Sequence, residues 1–154
     1  MHIQYSIIDS IYNTLYNDTS LKAFINPDRD IYKGFPSQDQ SASLNLIVIE
    51  SGKFDIIETN SEDKNEVSDR AYTLEVPIFV GFTISNKSDT LEKFDNFIST
   101  IINSIDNSTY IISNSNILNL SLVGFESSVY QDKIMMRECL ITFSFEGAYV
   151  RGNL

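Results

Sequence analysis

The longest regular pattern in the chain is an alternation of apolar and polar residues over positions 70–84. The even positions of this run are all apolar, namely Tyr72, Leu74, Val76, Ile78, Val80, Phe82 and Ile84. A period of two residues predicts one long β-strand with a single face on a core. Pro77 lies among the odd positions. Because proline cannot donate to a neighbouring strand, the pattern predicts an edge strand or a bulge there.

Other stretches of the chain also predict strands. Residues 44–50 and 53–58 are rich in aliphatic and β-branched side chains, and Ser51 and Gly52 separate them. This arrangement predicts a hairpin with a tight turn. Residues 117–125 alternate again, with Leu118, Leu120 and Leu122 on one face, and residues 134–147 predict another long strand. The last strand should bury its odd positions, Cys139, Ile141, Phe143 and Phe145.

Two segments repeat their apolar residues with a helical period. Residues 3–16 place Ile8, Ile11, Tyr12 and Leu15 on one face, and residues 91–105 do the same with Leu91, Phe94, Ile98, Ile101, Ile102 and Ile105. Asp89 and Glu92 have the spacing of a capping box in front of the second helix. Thr19 or Ser20 is expected to cap a short helical piece over 21–25, whereas 28–43 and 106–116 are expected to be loops.

The order of elements, α-β-β-β-α-β-β, predicts an α+β fold: a mostly antiparallel, twisted β-sheet with two main α-helices packed on one face. The 154 residues contain no repeat and no linker, so a single domain over 1–154 is expected. A chain of this length buries about 70% of its unfolded surface on folding.

The net charge of the chain limits the classes of partner that it can bind. A formal net charge of -10 disfavours nucleic acids and anionic membranes, which both need a Lys/Arg-rich surface. A basic protein partner remains compatible. The N-terminus lacks the features of a signal peptide, and no apolar stretch approaches the ~18 residues of a membrane helix, so synthesis in the cytosol is expected.

Few residues offer catalytic chemistry. His2 is the single histidine, at the terminus, and Cys139 is the single cysteine, in a strand, where a buried core thiol is expected. "NSEDKNE" lacks the spacing of a calcium loop, and no phosphate-binding glycine motif occurs. We therefore predict no catalytic residue, no metal and no cofactor. An enzyme with an unmarked pair of carboxylates stays open, and it would need a deep polar pocket.

Several residues fit a protein interface better than a single core. Aromatic residues are enriched at interfaces, and Phe79 shares the odd face of the long strand with Pro77. The stretch "TNSEDKNEVSD", residues 59–69, is far longer than a turn requires and almost lacks apolar residues. The predicted interface residues are Tyr32, Phe35, Glu62, Asp63, Lys64, Glu66, Asp69, Arg70, Pro77 and Phe79.

The succession of segments resembles a known family. An N-terminal helix leads into "NDTSLKAFI" and "DIYKGFP", followed by the strands "SLNLIVIE" and "DRAYTLEVPIFVGFTIS", the helix "LEKFDNFISTIINSI" and a last strand, "CLITFSFEG". The most similar piece contains Asp18, Leu21, Ile31, Tyr32 and Pro36. This order resembles the tail-terminator (tail-completion) proteins of tailed bacteriophages and phage-derived contractile particles.

The resemblance implies a structural part without catalysis. It implies a homo-hexameric ring on the head-proximal end of the tail tube, which stops tube polymerisation and offers a face to the head connector or, in contractile systems, the last sheath ring. It also implies assembly in the bacterial cytoplasm and then a place in the virion or tail-like particle. The loops between long strands would contact ring, tube and connector, and DNA would pass through without specific recognition.

A second interpretation comes from a different class. A small acidic inhibitor or immunity protein that binds a basic toxin or nuclease would share this size and charge. Such an inhibitor needs its acids clustered on one rigid surface, whereas the acids of this chain are spread along the sequence, with the densest group in 59–69.

Overall fold

The structure, a computed structural model, describes residues 2–36, 45–57, 69–83, 90–131, 135–150 and 154. Ile84, Asp89 and the acidic residues of 59–68 lie outside these ranges. The helices are α1 (His2–Asn17), α2 (Pro27–Asp30), α3 (Thr90–Asp106) and α4 (Thr109–Ile112), with a 3-10 helix at Thr19–Ala23. The strands are β1 (Ile31–Lys33), β2 (Leu46–Ile49), β3 (Lys53–Ile57), β4 (Asp69–Thr83), β5 (Asn119–Gln131) and β6 (Met135–Val150).

The predicted α+β class is confirmed. The strands form one six-stranded sheet in the order β1-β2-β4-β6-β5, with β3 also paired to β4. Every pairing is antiparallel except that of β1 with β2. The two long helices, α1 and α3, bury their apolar stripes in the same core as one face of β4 and β6.

That core confirms the alternation read from the sequence. The even positions of β4 from Tyr72 to Phe82 are buried, and so are the four odd positions predicted for β6. In α3 the buried stripe includes Phe97, which the sequence reading did not name, and excludes Leu91, which is 53% exposed. Leu91 lies in the first turn, before the first core contact of the helix at Phe94.

The predicted hairpin between residues 44–50 and 53–58 is wrong. Strands β2 and β3 do not pair with each other but lie end to end along the same side of β4, at Ile78–Gly81 and Ala71–Glu75 respectively. Residues 50–52 stand opposite only Val76 and Pro77, so the joined strand carries one extra residue. A bulge of this kind moves the core-facing positions from odd in β2 to even in β3.

Pro77 lies in the central strand of the sheet, so of the two predicted alternatives the edge strand is wrong, whereas a bulge does occur, in the strand that faces Pro77. In an antiparallel strand, the N–H and C=O of one residue point to the same neighbour. The Pro77 carbonyl accepts a hydrogen bond from the Glu50 amide at 3.1 Å, on the side of the bulge. The N–H that proline lacks would therefore point into the irregular stretch, while pairing with β6 continues through Thr142.

The stretches predicted as loops contain short regular elements. Within 28–43, helix α2 and strand β1 form, and within 106–116, helix α4 forms. Each short helix has a local cap: the side chain of Asn26 accepts from the Asp28 amide, and that of Ser108 accepts from the Ile111 amide. The 3-10 helix is capped by Asp18 rather than by Thr19 or Ser20, since Asp18 accepts from the Ser20 amide.

Candidate interaction site

The candidate site lies on the side of the sheet opposite the core, which we call the open face. The described helices bury their apolar residues in the core on the other side. Register places Tyr32, Val48, Phe79, Leu140 and Glu126 in one row across β1, β2, β4, β6 and β5. The open face therefore presents an apolar row where the alternation along each strand would otherwise place polar residues.

An adjacent row completes a groove. Leu46, Gly81, Glu138 and Ser128 follow one another across the same sheet. Together the two rows, apart from Tyr32, line a concavity of about 600 Å³ with Phe35, Pro36 and Met136, and we call it the open-face groove. Its walls are mostly apolar, whereas its acidic residues, Glu126 and Glu138, both lie at the β5–β6 end.

The aromatic wall of the groove depends on a turn after β1. Gly34 has a φ of 78°, a conformation that residues with a side chain rarely adopt, and its amide donates to the Ile49 carbonyl at 2.8 Å. The chain then brings Phe35 over the sheet, where the Glu50 carboxylate accepts from the Phe35 amide at 3.2 Å. The Phe35 and Phe79 rings meet at a centroid distance of 4.9 Å with a tilted geometry, which suits aromatic pairs.

Strand β1 is in turn fixed to helix α1. The Lys33 ammonium group lies 2.5 Å from the Asp9 carboxylate and 4.8 Å from the centroid of the Tyr12 ring. The hydrogen bond to Asp9 raises the pKa of Lys33, so the ammonium form is favoured. Since Gly34 and Phe35 follow directly, this contact connects the position of the wall to the helical side of the molecule.

The floor of the groove leaves little room for a side chain at Gly81. A Cβ atom at Gly81 would lie 3.1 Å from the Met136 methyl group and 3.4 Å from Leu46 Cγ. These two side chains approach each other across Gly81 from neighbouring strands. A larger residue at 81 would fill the groove from below while leaving the core on the other face untouched.

The predicted interface residues separate into three groups. Tyr32, Phe35, Pro77 and Phe79 come together on the open face, although Tyr32 and Pro77 flank the groove rather than line it. Asp69 and Arg70 lie at the opposite end of β4, ten and nine residues from Phe79 and so roughly 30 to 33 Å along the strand. Glu62, Asp63, Lys64 and Glu66 fall outside the described residues. An interface role for all of these residues stays a prediction.

Sequence reasoning missed most of the groove lining. Leu46, Val48, Met136 and Leu140 were not singled out, and neither were the two carboxylates. The available signal was apolar residues at strand positions of outward parity: Val48 between Ile47 and Ile49, and Leu140 between Cys139 and Ile141. Only the tertiary pairing shows that these positions are neighbours.

A second concavity tests the enzyme alternative. A polar depression of about 450 Å³ lies at the C-terminal ends of α1 and α3 and is lined mainly by hydroxyl and amide side chains. Asp18 is the single carboxylate among the described residues that line it, and its side chain already caps the 3-10 helix. The depression therefore supplies no pair of carboxylates for acid–base work.

Cys139 is a buried core thiol, as predicted. It is 2% exposed, and burial raises the pKa of its thiol, so the reactive thiolate is disfavoured. Among the described residues, no group of three or more His, Cys, Asp or Glu side chains is placed to hold a metal ion. None of the described helices is long and apolar enough to cross a membrane.

Comparison with solved structures finds chains of similar fold. No protein-family profile and no curated protein matches the chain. A chain in the solved structure described as "Virion of native gene transfer agent (GTA) particle" is similar, with a TM-score of 0.55 and 13% sequence identity. The similarity covers 91% of this chain and 93% of that chain. At this identity the two chains share a fold over nearly their whole lengths, and the likeness shows the fold alone.

Proposed function

We propose that this chain is a structural component of a phage-derived particle, and specifically a tail terminator. A homo-hexameric ring would cap the head-proximal end of the tail tube, stop its polymerisation and form the joint to the head connector or the last sheath ring. The observation that carries the proposal is the shared fold with a virion chain, which spans almost all of both chains. The order of sequence segments from "NDTSLKAFI" to "CLITFSFEG" supports the same function.

The open-face groove supplies a docking surface for the tube protein. Exposed apolar surface that is concave and bordered by polar groups is typical of protein interaction sites. Phe35 is 61% exposed although it forms the wall, so a partner side chain inserted beside Phe79 would bury it. Glu126 and Glu138 add negative charge, and among the described residues no Lys or Arg lines the groove. We therefore expect the partner to insert an apolar side chain next to a basic residue.

The net charge suits a ring around a DNA channel. Six copies at -10 each give -60, which would repel phosphates and allow DNA to pass without binding. Such a ring would assemble in the bacterial cytoplasm and stay at the head-proximal end of the particle. The chain would then have no need for specific nucleic-acid contacts.

The experiment co-expresses this chain with its tube protein and measures tube length by electron microscopy. We expect tubes of limited length with a ring at one end, and native mass spectrometry should detect hexamers of this chain, at least in the presence of tube protein. Leu140→Lys, which places a charge in the groove, should release tube growth. Ile112→Lys is the matched control, because Ile112 is exposed on α4 outside the groove. Tubes whose length does not respond to the chain would overturn the proposal.

One observation favours the alternative of an acidic inhibitor. Glu126 and Glu138 lie on rigid, neighbouring strands, in register with Leu140 and Ser128 respectively, and so form a small acidic cluster. A basic toxin or nuclease could recognise this cluster together with the apolar groove. Tight one-to-one binding of a monomer to a basic nuclease, abolished by Glu126→Gln with Glu138→Gln, would favour this function over the terminator.

A further inference from the structure

One edge of the sheet is long, apolar and unpaired among the described strands. Strand β5 pairs with β6 along one side, and no described strand pairs with its other side over Asn119–Gln131. Leu122, Val123, Phe125 and Val129 are all exposed, Phe125 by 57%. Natural proteins usually protect such an edge with charges or proline, yet β5 contains a single charged residue, Glu126, and no proline.

The opposite edge of the sheet offers a second free strand. Among the described strands, β3 pairs only with β4, and its outer side is open over Lys53–Ile57. Ile56 and Ile57 are exposed there, Ile57 by 52%. Strand β1, on the same edge, is shorter and is held against α1 through Lys33 and Asp9. Strand β3 is therefore the more accessible part of this edge.

The directions of the two edge strands are compatible. Strand β5 runs antiparallel to β6, which runs antiparallel to β4, so β5 and β4 run in the same direction. Strand β3 runs antiparallel to β4 and hence to β5. When identical subunits repeat by rotation around a ring, β5 of one copy meets β3 of the next in antiparallel orientation, which is the more stable pairing.

The charges of the two edges allow identical copies to meet. Chains of net charge -10 repel each other, so an interface between copies needs surfaces that are nearly neutral or opposite in sign. Strand β5 carries only Glu126, and β3 carries Lys53, whose ammonium group lies 3.3 Å from the Asp55 carboxylate. The apolar side chains of both edges would become buried, and the unpaired backbone groups would gain partners.

We propose that copies of this chain join edge to edge, with β5 of one copy pairing antiparallel with β3 of the next. The inference rests on the proposed ring and names its subunit interface. Each junction is heterologous, because it uses two different surfaces of the same chain. A closed ring of such junctions would pair the outer side of every β3 with part of a neighbouring β5.

The test uses three double variants with the same added charge. Phe125→Glu with Val129→Glu blocks β5, and Ile56→Glu with Ile57→Glu blocks β3. Tyr110→Glu with Ile112→Glu is the control, since both residues are exposed on α4, away from either edge. Circular dichroism checks that each variant is folded, and analytical ultracentrifugation over a concentration series measures association.

The proposal expects wild type and the control to form the same oligomer, and each blocked variant alone to lose it and stay monomeric. An equimolar mixture of the two blocked variants should give a one-to-one dimer, because one intact β5 and one intact β3 remain. Dimers of the β3-blocked variant alone would indicate pairing of β5 with itself and overturn the proposal. Wild type that stays monomeric at every concentration, or a β5-blocked variant that still assembles, would also overturn it.

These outcomes are separable from the proposed function. If the β5-blocked variant still forms rings that limit tube length, the terminator function stands and this interface is wrong. If wild-type copies join through β5 and β3 but tube length does not respond to them, the interface stands and the terminator function is wrong.

Discussion

At the residue scale, Phe82 shows how one side chain joins the sheet to a helix. It is 7% exposed and meets the rings of Phe94 and Phe97 at centroid distances of 5.8 and 5.9 Å. Phe82→Ala should lower the free energy of unfolding by about 3 to 5 kcal/mol, because it removes buried surface and leaves a cavity. Denaturant unfolding measures the change. Ile112→Ala, at an exposed position, should change it by less than about 0.5 kcal/mol.

Also at the residue scale, Tyr72 makes stability depend on alkaline pH. Burial raises its pKa from 10.0 to about 12, and its hydroxyl donates to the Asn116 carbonyl. The folded chain thus keeps a proton that the unfolded chain loses near pH 10, so stability is full below pH 10 and falls above it. The fall should reach about 2 to 3 kcal/mol by pH 12.

The measurement compares unfolding free energies of wild type and Tyr72→Phe between pH 8 and the highest pH at which both stay folded. Tyr72→Phe should cost about 1 kcal/mol at neutral pH through the lost hydrogen bond. The difference should shrink and then change sign as pH rises, because the expected fall in wild-type stability is larger than this cost. Tyr110→Phe, at an exposed position, should follow the wild-type curve. A constant difference between wild type and Tyr72→Phe would contradict the prediction.

At the element scale, the junction between β2 and β3 depends on one glycine. A Cβ atom at Gly52 would lie 1.4 Å from the Glu75 carbonyl oxygen, a backbone atom that cannot move without disturbing β4. Gly52→Ala should therefore destabilise the fold by about 1 to 3 kcal/mol or more. Gly124, beside the irregularity of β5, is the matched control because a Cβ there meets nothing within 4 Å.

Gly124→Ala should leave stability unchanged or raise it by about 0.4 to 1 kcal/mol, since it reduces the entropy of the unfolded chain. Thermal unfolding of both variants measures the contrast. Equal melting temperatures for the two variants would show that the close approach at Gly52 is not needed for the junction.

The same junction shows where sequence reasoning about elements succeeds and where it stops. Strand β4 was predicted because its alternation is long and one face is buried. The junction at Ser51 and Gly52 was read as a turn because Gly is common both in turns and in bulges. Residues 46–49 are all apolar, so the sequence does not show that the core-facing parity shifts from Ile47 and Ile49 to Phe54. Only pairing with β4 distinguishes the two alternatives.

For the groove, too, the sequence predicted some residues and missed others. Phe79 and Phe35 were both predicted from the sequence as interface residues, Phe79 because it shares the odd face of the long strand with Pro77, and the two rings do contact each other. Leu46, Leu140 and Met136 belong to the groove only through the register of strands that are distant along the chain. The local sequence pattern therefore predicted individual interface residues, whereas the groove itself could be recognised only from the pairing of strands that are distant along the chain.

At the scale of the whole molecule, the stretch from 58 to 68 joins β3 to β4, which pair directly with Ile57 opposite Ala71. Such a hairpin needs only two to five connecting residues by ordinary loop statistics. The connection contains one strongly apolar residue, Val67, so it has little to contribute to a core. Replacement of 60–68 by a short glycine-containing turn should therefore leave the melting temperature nearly unchanged.

The same replacement should impair assembly if the connection contacts a neighbouring subunit, the tube or the connector. Residues 59–69 carry four acids and one lysine, and the replaced part, 60–68, holds three of these acids, Glu62, Asp63 and Glu66, together with Lys64. Its net charge of -2 suits a basic patch on such a partner. Electron microscopy should show overlong or headless tails with the shortened chain. Replacing Glu62, Asp63 and Glu66 by Gln at full length separates charge from length. Normal particles with the shortened chain would show that the connection is an insertion without a role in assembly.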